Sequence, residues 1–115
     1  MSSSWYSVAV DCEDPTRLAA FWAEVLGYRT VDEGDGVISL AGETNGPWLE
    51  FVAVPEGKTV KNRLHIDLNP DDQDREVERL LASGASRADV GQGGDVSWVV
   101  MADPEGNEFC VLTPR

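Results

Sequence analysis

The chain states one pattern twice, and this internal repeat constrains its fold more than any other feature. Ser7-Val-Ala-Val-Asp11 leads into an amphipathic helix pattern closed by Leu26-Gly27-Tyr28. His65-Ile-Asp-Leu68 leads into a second one, closed by Ser83-Gly84-Ala85. Late in each half a turn precedes an apolar strand: Asn45-Gly46-Pro47 before residues 48–52, and Glu105-Gly106-Asn107 before residues 108–112. A duplicated strand–helix–strands unit builds two similar half-sheets, and two such halves can enclose a site.

Local patterns support each element. Residues 5–11 alternate, with Tyr6, Val8 and Val10 on one face and Trp5, Ser7 and Ala9 on the other, as in a half-buried strand. Asp14-Pro15 predicts a helix start, a capping carboxylate followed by proline at the first helical position. Leu18, Phe21, Trp22, Val25 and Leu26 recur at helical spacing, and Gly27 supplies the stop. Residues 28–31, 37–40 and 48–54 read as strands, separated by Gly34-Asp35-Gly36 and residues 42–47. Pro55-Glu56-Gly57-Lys58 links the halves.

The second half repeats the order. Residues 63–68 read as a strand, with Leu64, Ile66 and Leu68 facing one way and Arg63, His65 and Asp67 the other. Pro70-Asp71-Asp72 opens a helix carrying Val77, Leu80 and Leu81, which Gly84 closes. Strands follow at 87–90, 96–102 and 109–113. The segment Asp103-Pro104-Glu105-Gly106-Asn107 is strong turn chemistry and too short for a calcium loop. The fold class is α+β, with βαβββ twice: module 1 at about residues 4–55, module 2 at about 61–114, within a single domain spanning 1–115.

Charge bounds the partners. The 21 acidic and 9 basic side chains give a net charge of −12, which repels phosphate backbones and anionic membranes. Neither nucleic acid nor a membrane is therefore expected as a partner. The same excess would attract a cationic ligand, or serves solubility alone. No apolar run approaches the roughly 20 residues needed to span a bilayer, and no signal-peptide pattern is visible at the N-terminus. Cys12 and Cys110 are too few for a disulfide framework. A reduced, cytoplasmic location is expected.

Phe21-Trp22-Ala23-Glu24-Val25-Leu26-Gly27-Tyr28, Leu64-His65-Ile66-Asp67-Leu68 and Asp103-Pro104-Glu105-Gly106-Asn107-Glu108-Phe109, in that order, resemble the vicinal oxygen chelate superfamily. More narrowly they resemble its glyoxalase-like branch, in the glyoxalase/bleomycin resistance/dioxygenase group. The resemblance covers nearly the whole chain. It implies a curved, incomplete mixed β-barrel built from the two modules, and a homodimer. It does not choose a reaction, because the superfamily includes isomerases, epimerases, dioxygenases, thiol transferases and metal-free drug-binding proteins.

In metal-dependent members the ligands come from the first and last strands of each module. Carried over, those positions are Ser7 and His65, and Glu50 and Cys110. The repeat pairs the same residues, at offsets of 58 and 60. His65 and Glu50 are the metal candidates. Ser7 is a poor ligand for a divalent ion, and Cys110 would make a softer, zinc-leaning site. No cofactor is required by the sequence. The resemblance admits a divalent metal: zinc, nickel, manganese or iron.

Each candidate has two readings. His65, the only histidine, is a hydrogen-bonded structural group or a ligand or acid–base group. Glu50, flanked by Leu49 and Phe51, is a satisfied strand carboxylate or a general base in a semi-apolar pocket. Cys110 in an apolar strand is a small core residue or part of the ligand site. Trp5, Trp48 and Trp98 are packing residues or aromatic walls for a flat or cationic ligand. Ser7 and Arg63 complete the expected ligand-binding set.

Two function classes follow. The favoured one is a small-molecule binding protein without a complete metal-ligand set, as in antibiotic-binding resistance proteins. The other is a metal-dependent lyase, isomerase or related enzyme, with Glu50 and His65 catalytic. Glyoxalase I activity itself is not expected, because its anionic glutathione adduct would meet a strongly acidic protein.

Overall fold

The computed structural model describes residues 2–42 and 47–115; the turn expected at Asn45-Gly46 lies outside them. The chain divides into two compact units, Met1–Gly57 and Lys58–Arg115.

The first unit runs β1 (Ser7–Cys12), α1 (Pro15–Leu26), β2 (Arg29–Gly34), β3 (Val37–Ala41), β4 (Trp48–Ala53). Its sheet has the order β1-β4-β3-β2, with β1 parallel to β4 and the other pairs antiparallel. The Asp14 carboxylate caps α1 by accepting from the Arg17 N–H at 3.2 Å, and Pro15 follows it. Gly27 ends the helix at φ 69°, a left-handed backbone that glycine adopts without strain. Leu18, Ala19, Phe21 and Trp22 are buried on α1, which packs on β2, β3 and β4. Ile38, Leu40 and Phe51 are buried in the sheet.

The second unit runs β5 (Asp67–Leu68), α2 (Gln73–Ala82), β6 (Ser86–Arg87), β7 (Val99–Ala102), β8 (Glu108–Val111). Its order is β5-β8-β7-β6, again with the first and last strands parallel. The Asp72 carboxylate caps α2 through the Arg75 N–H at 3.0 Å. Val77 and Leu80 of α2 are buried. Leu68, Met101, Phe109 and Val111 are buried in the sheet. Both units are thus α+β, each with one open four-stranded mixed sheet.

The register shows the duplication directly. Ala9 pairs with Glu50 in the first unit, and Asp67 pairs with Cys110 in the second. Ser7, Ala9 and Glu50 therefore occupy the positions held by His65, Asp67 and Cys110.

One expected strand is much shorter than its pattern. Residues 63–68 alternate, yet β5 holds only Asp67 and Leu68. Extending the observed register places His65 opposite Glu108, the first residue of β8. Arg63 and Leu64 then fall opposite the turn at Gly106-Asn107, which offers no strand to pair with. Leu64, expected on the packed face, is 86% exposed. The early strand boundary at Trp5 is corrected likewise: β1 starts at Ser7, and Trp5 is 71% exposed. The strand expected at 87–90 is found one residue earlier and only two residues long, as β6, and the one expected at 96–102 contracts to β7.

These burials separate two leucines that look alike in the sequence. Leu80→Ala should cost about 2–5 kcal/mol, because it empties a fully enclosed site. Leu64→Ala should cost no more than about 0.5 kcal/mol. Urea unfolding of both variants measures the difference.

Candidate functional site

Side-chain alternation builds a cavity on one face of the second sheet. Leu68, Met101, Phe109 and Val111 fill the packed layer. The intervening residues Asp67, Val100, Glu108 and Cys110 point the other way, as period-two geometry requires. With Lys61, Asn62, His65, Val90, Gln92, Trp98 and Leu112 they line a cavity of about 340 Å³, within the usual size range of small-molecule pockets. Val90, Trp98, Val100 and Leu112 supply an apolar wall. Lys61, Asn62, His65 and Asp67 supply polar groups.

Three donor groups converge there. His65 and Asp67 are two residues apart, and Cys110 is the direct register partner of Asp67. Ligand atoms of the three lie within 4.8 Å of one another. The imidazole Nε2 of His65 is 3.1 Å from Asp67 Oδ1. His65 and Asp67 are exposed, whereas Cys110 is buried. Burial, then the Asp67 charge, push the Cys110 thiol above its ordinary value, with Lys61 opposing.

Glu108 holds the segment entering this site. Its Oε1 accepts from Lys58 Nζ at 3.0 Å and its Oε2 from the Asn62 N–H at 3.2 Å. Burial disfavours its charge, but hydrogen bonds from its own N–H, Lys58 and Asn62 outweigh burial and hold its carboxyl below the ordinary value. The turn before Glu108 is fixed by the buried Asp103. That carboxylate accepts from the Glu105 N–H at 2.9 Å and from the Asn107 N–H at 3.0 Å. The segment is a structural turn, as its composition implies. On the opposite side, Gln92 Oε1 accepts from the Val90 N–H at 2.9 Å and braces the loop.

The expected site residues fall into two groups. His65, Trp98 and Cys110 line the cavity of the second unit. Arg63 is exposed on the segment before β5. Ser7, Trp48 and Glu50 are half-buried in the first unit; Ser7 faces Trp48 in register, and Trp48 stacks on Tyr6 with ring centroids 6.4 Å apart. Sequence reasoning passed over Asp67, Lys61, Asn62, Gln92 and Glu108 as site residues. Asp67 was legible as the same-face neighbour of His65, and Glu108 as the same-face neighbour of Cys110. The others come from segments without periodicity.

Residues 7–112 match a family profile described as a glyoxalase-like domain. The chain belongs to this family, and through it to the vicinal oxygen chelate superfamily. Among solved structures it is similar to a glyoxalase/bleomycin resistance protein/dioxygenase family enzyme from Burkholderia phytofirmans. That pair shares 20% identity and a TM-score of 0.74, covering 98% of this chain and 100% of the other. It is also similar to the fosfomycin resistance protein FosX from Listeria monocytogenes, a structure with Mn(II) and sulfate. Here identity is 14% and TM-score 0.76, over 100% and 93% of the two chains. TnmS3, an antibiotic-binding protein from a Streptomyces species, shares 20% identity and a TM-score of 0.68, over 100% and 99%. At such identities the likeness shows the fold alone. A search of curated proteins gave no match. Among the described residues, no helix is long and apolar enough to cross a membrane.

The Glu108 bonds carry a pH signature. A lowered folded value means that the stabilisation is complete above the ordinary value of 4.5 and is lost as pH falls through the folded value. Glu108→Gln should cost about 1–2 kcal/mol near neutrality, from the loss of charge-assisted hydrogen bonds. It should also flatten the acid limb of the stability curve, below about pH 5. Thermal unfolding from neutral to acid pH measures both effects.

Proposed function

We propose that this glyoxalase-like domain binds a compact organic molecule in the cavity of its second unit. The observation that carries this reading is the cavity itself, whose lining joins apolar residues, Trp98 among them, to the polar Asn62, His65 and Asp67. A flat or apolar portion of the ligand would lie on Trp98, Val100 and Leu112. Its oxygen or nitrogen atoms would meet Lys61, Asn62 and His65.

Charge refines the ligand class. The second unit holds 11 acidic and 7 basic side chains, a net of −4, so most of the −12 lies in the first unit. Glu108 is paired with Lys58, and the remaining lining holds one charge of each sign, on Lys61 and Asp67. A neutral or zwitterionic molecule suits this lining better than the strongly cationic one suggested by total charge. The antibiotic-binding TnmS3 shares the fold, and an antibiotic-like aromatic ligand is one member of this class.

A second reading, a lyase or isomerase, is favoured by the His65–Asp67 contact. A carboxylate beside an imidazole orients it and fixes which nitrogen carries the proton. In that reading His65 moves a proton on an oxygen-rich substrate bound in the cavity of the second unit.

A thermal-shift screen of neutral, zwitterionic and cationic aromatic molecules, with a chelator present, tests the binding reading. A ligand at about 100 times its Kd should add about 2.7 kcal/mol of stability. Trp98→Ala should remove the shift at the same concentration. Absence of any shift across the three classes, or a shift untouched by Trp98→Ala, counts against this cavity.

A further inference from the structure

We propose that the cavity of the second unit is built for a compact zwitterion of amino-acid type, with its carboxylate on Lys61, its ammonium on Asp67 and its apolar body on Val100 and Trp98. The proposal rests on the binding reading above and names the ligand class for it. Three observations carry it.

The first is the polarity of the sheet beneath the cavity. Asp67 of β5 pairs with Cys110 of β8, and Cys110 pairs in turn with Val100 of β7. One row across the sheet therefore runs from a carboxylate, through a buried thiol, to a valine. Trp98 lies two residues before Val100 and lines the same cavity. The segment that carries Lys61 is tied to β8 by the Asn62 N–H on Glu108 at 3.2 Å.

The second is the state of the charges. Both oxygens of Glu108 are engaged, one by Lys58 Nζ at 3.0 Å and the other by the Asn62 N–H. Lys61 Nζ donates to the Asn62 carbonyl at 3.3 Å, and among the described residues no carboxylate is within ion-pairing distance of it. An ammonium has three N–H donors, so capacity remains. Asp67 Oδ1 lies 3.1 Å from His65 Nε2, and a neutral imidazole leaves the carboxylate's charge uncancelled.

The third is that both charges bear on one place. Burial, then Asp67, raise the Cys110 thiol above its ordinary value, and Lys61 opposes them. Fields of both signs thus reach the residue in the middle of the row.

These facts select among ligand charges. Lys61 and Asp67 are exposed, so water can solvate both while the cavity is open. A neutral molecule would displace that water and pair with neither charge. A cation would meet Asp67 but leave Lys61 unpaired beside a like charge, and an anion would do the reverse. A zwitterion pairs with both, and its apolar body covers Trp98 and Val100. The volume of about 340 Å³ is near the lower end for small-molecule pockets, which suits a compact ligand.

The experiment is calorimetric titration of the full chain, at neutral pH and low salt, with L-phenylalanine, hydrocinnamate, phenethylamine and phenethyl alcohol. These probes share a phenyl body and carry both charges, the negative one, the positive one and neither. L-Phenylalanine should bind about fivefold or more tighter than each of the others, the scale of an ion pair at a partly exposed site. Lys61→Gln should weaken L-phenylalanine to the level of phenethylamine without weakening phenethylamine. Asp67→Asn should weaken it to the level of hydrocinnamate without weakening hydrocinnamate. Arg87 is exposed and pairs with Met101 of the packed layer, so Arg87→Gln removes a charge from the other face of the sheet and should change no affinity. The proposal falls if L-phenylalanine binds no tighter than phenethyl alcohol, or if either cavity variant weakens all the probes alike. Phenethyl alcohol binding that depends on Trp98, with no preference for the zwitterion, would overturn this proposal and leave the binding reading standing. Binding by none of the probes would overturn both.

Discussion

The parallel pairing of β5 with β8 is the constraint on which the candidate site rests. It joins residues more than 40 positions apart in the chain by backbone hydrogen bonds at Ile66–Cys110 and Leu68–Leu112. Once that register is set, parity decides everything along β8. Phe109 and Val111 go into the packed layer, and Glu108 and Cys110 go to the cavity. A slip of one residue would bury a glutamate and expose a phenylalanine. The core and the cavity are therefore specified by the same interaction. Parallel partners need a long crossover, which here runs through α2, β6 and β7.

The architecture was legible because the signals for it are local and repeated. Asp14-Pro15 and Gly27 mark a helix by short-range chemistry, and the same signals recur in weaker form at Asp72 and Gly84. His65 could be turned toward a cavity by alternation, and Cys110 was marked by the repeat and the family resemblance. Other parts of the site could not be read in this way. Alternation at residues 63–68 suggests a full strand, but pairing depends on where the partner begins, and Glu108 is set by a turn held by Asp103. Lys61, Asn62 and Gln92 reach the cavity from irregular segments, the first of them held by the tertiary bond from the Asn62 N–H to Glu108. The resemblance pointed to positions, whereas the chemistry at those positions had to be read from this chain's own residues.

Duplication leaves the two units free to diverge. The second keeps three metal-capable donors beside an apolar wall. At the matching places the first has a serine, an alanine and a glutamate. The first unit also holds most of the excess negative charge. One scaffold has thus been specialised in one copy for a small chemical site, while the other copy has followed different demands. The fold tolerates this because each unit closes its own packed layer with its own helix.

The difference between β1 and β5, which hold equivalent edges of their two sheets, bears on how this protein behaves when crowded. β1 is six residues long at the rim of its sheet, with Val8 exposed and Trp5 and Tyr6 exposed just ahead of it. β5, at the same rim of the other sheet, has two residues, one of them charged. Long, apolar rims template the addition of foreign strands, and short, charged ones resist it. The other two edges, β2 (Arg29–Gly34) and β6 (Ser86–Arg87), are mostly polar or charged, so any tendency of this chain to self-associate into fibres should begin at β1, and charged residues introduced there would be the economical way to suppress it.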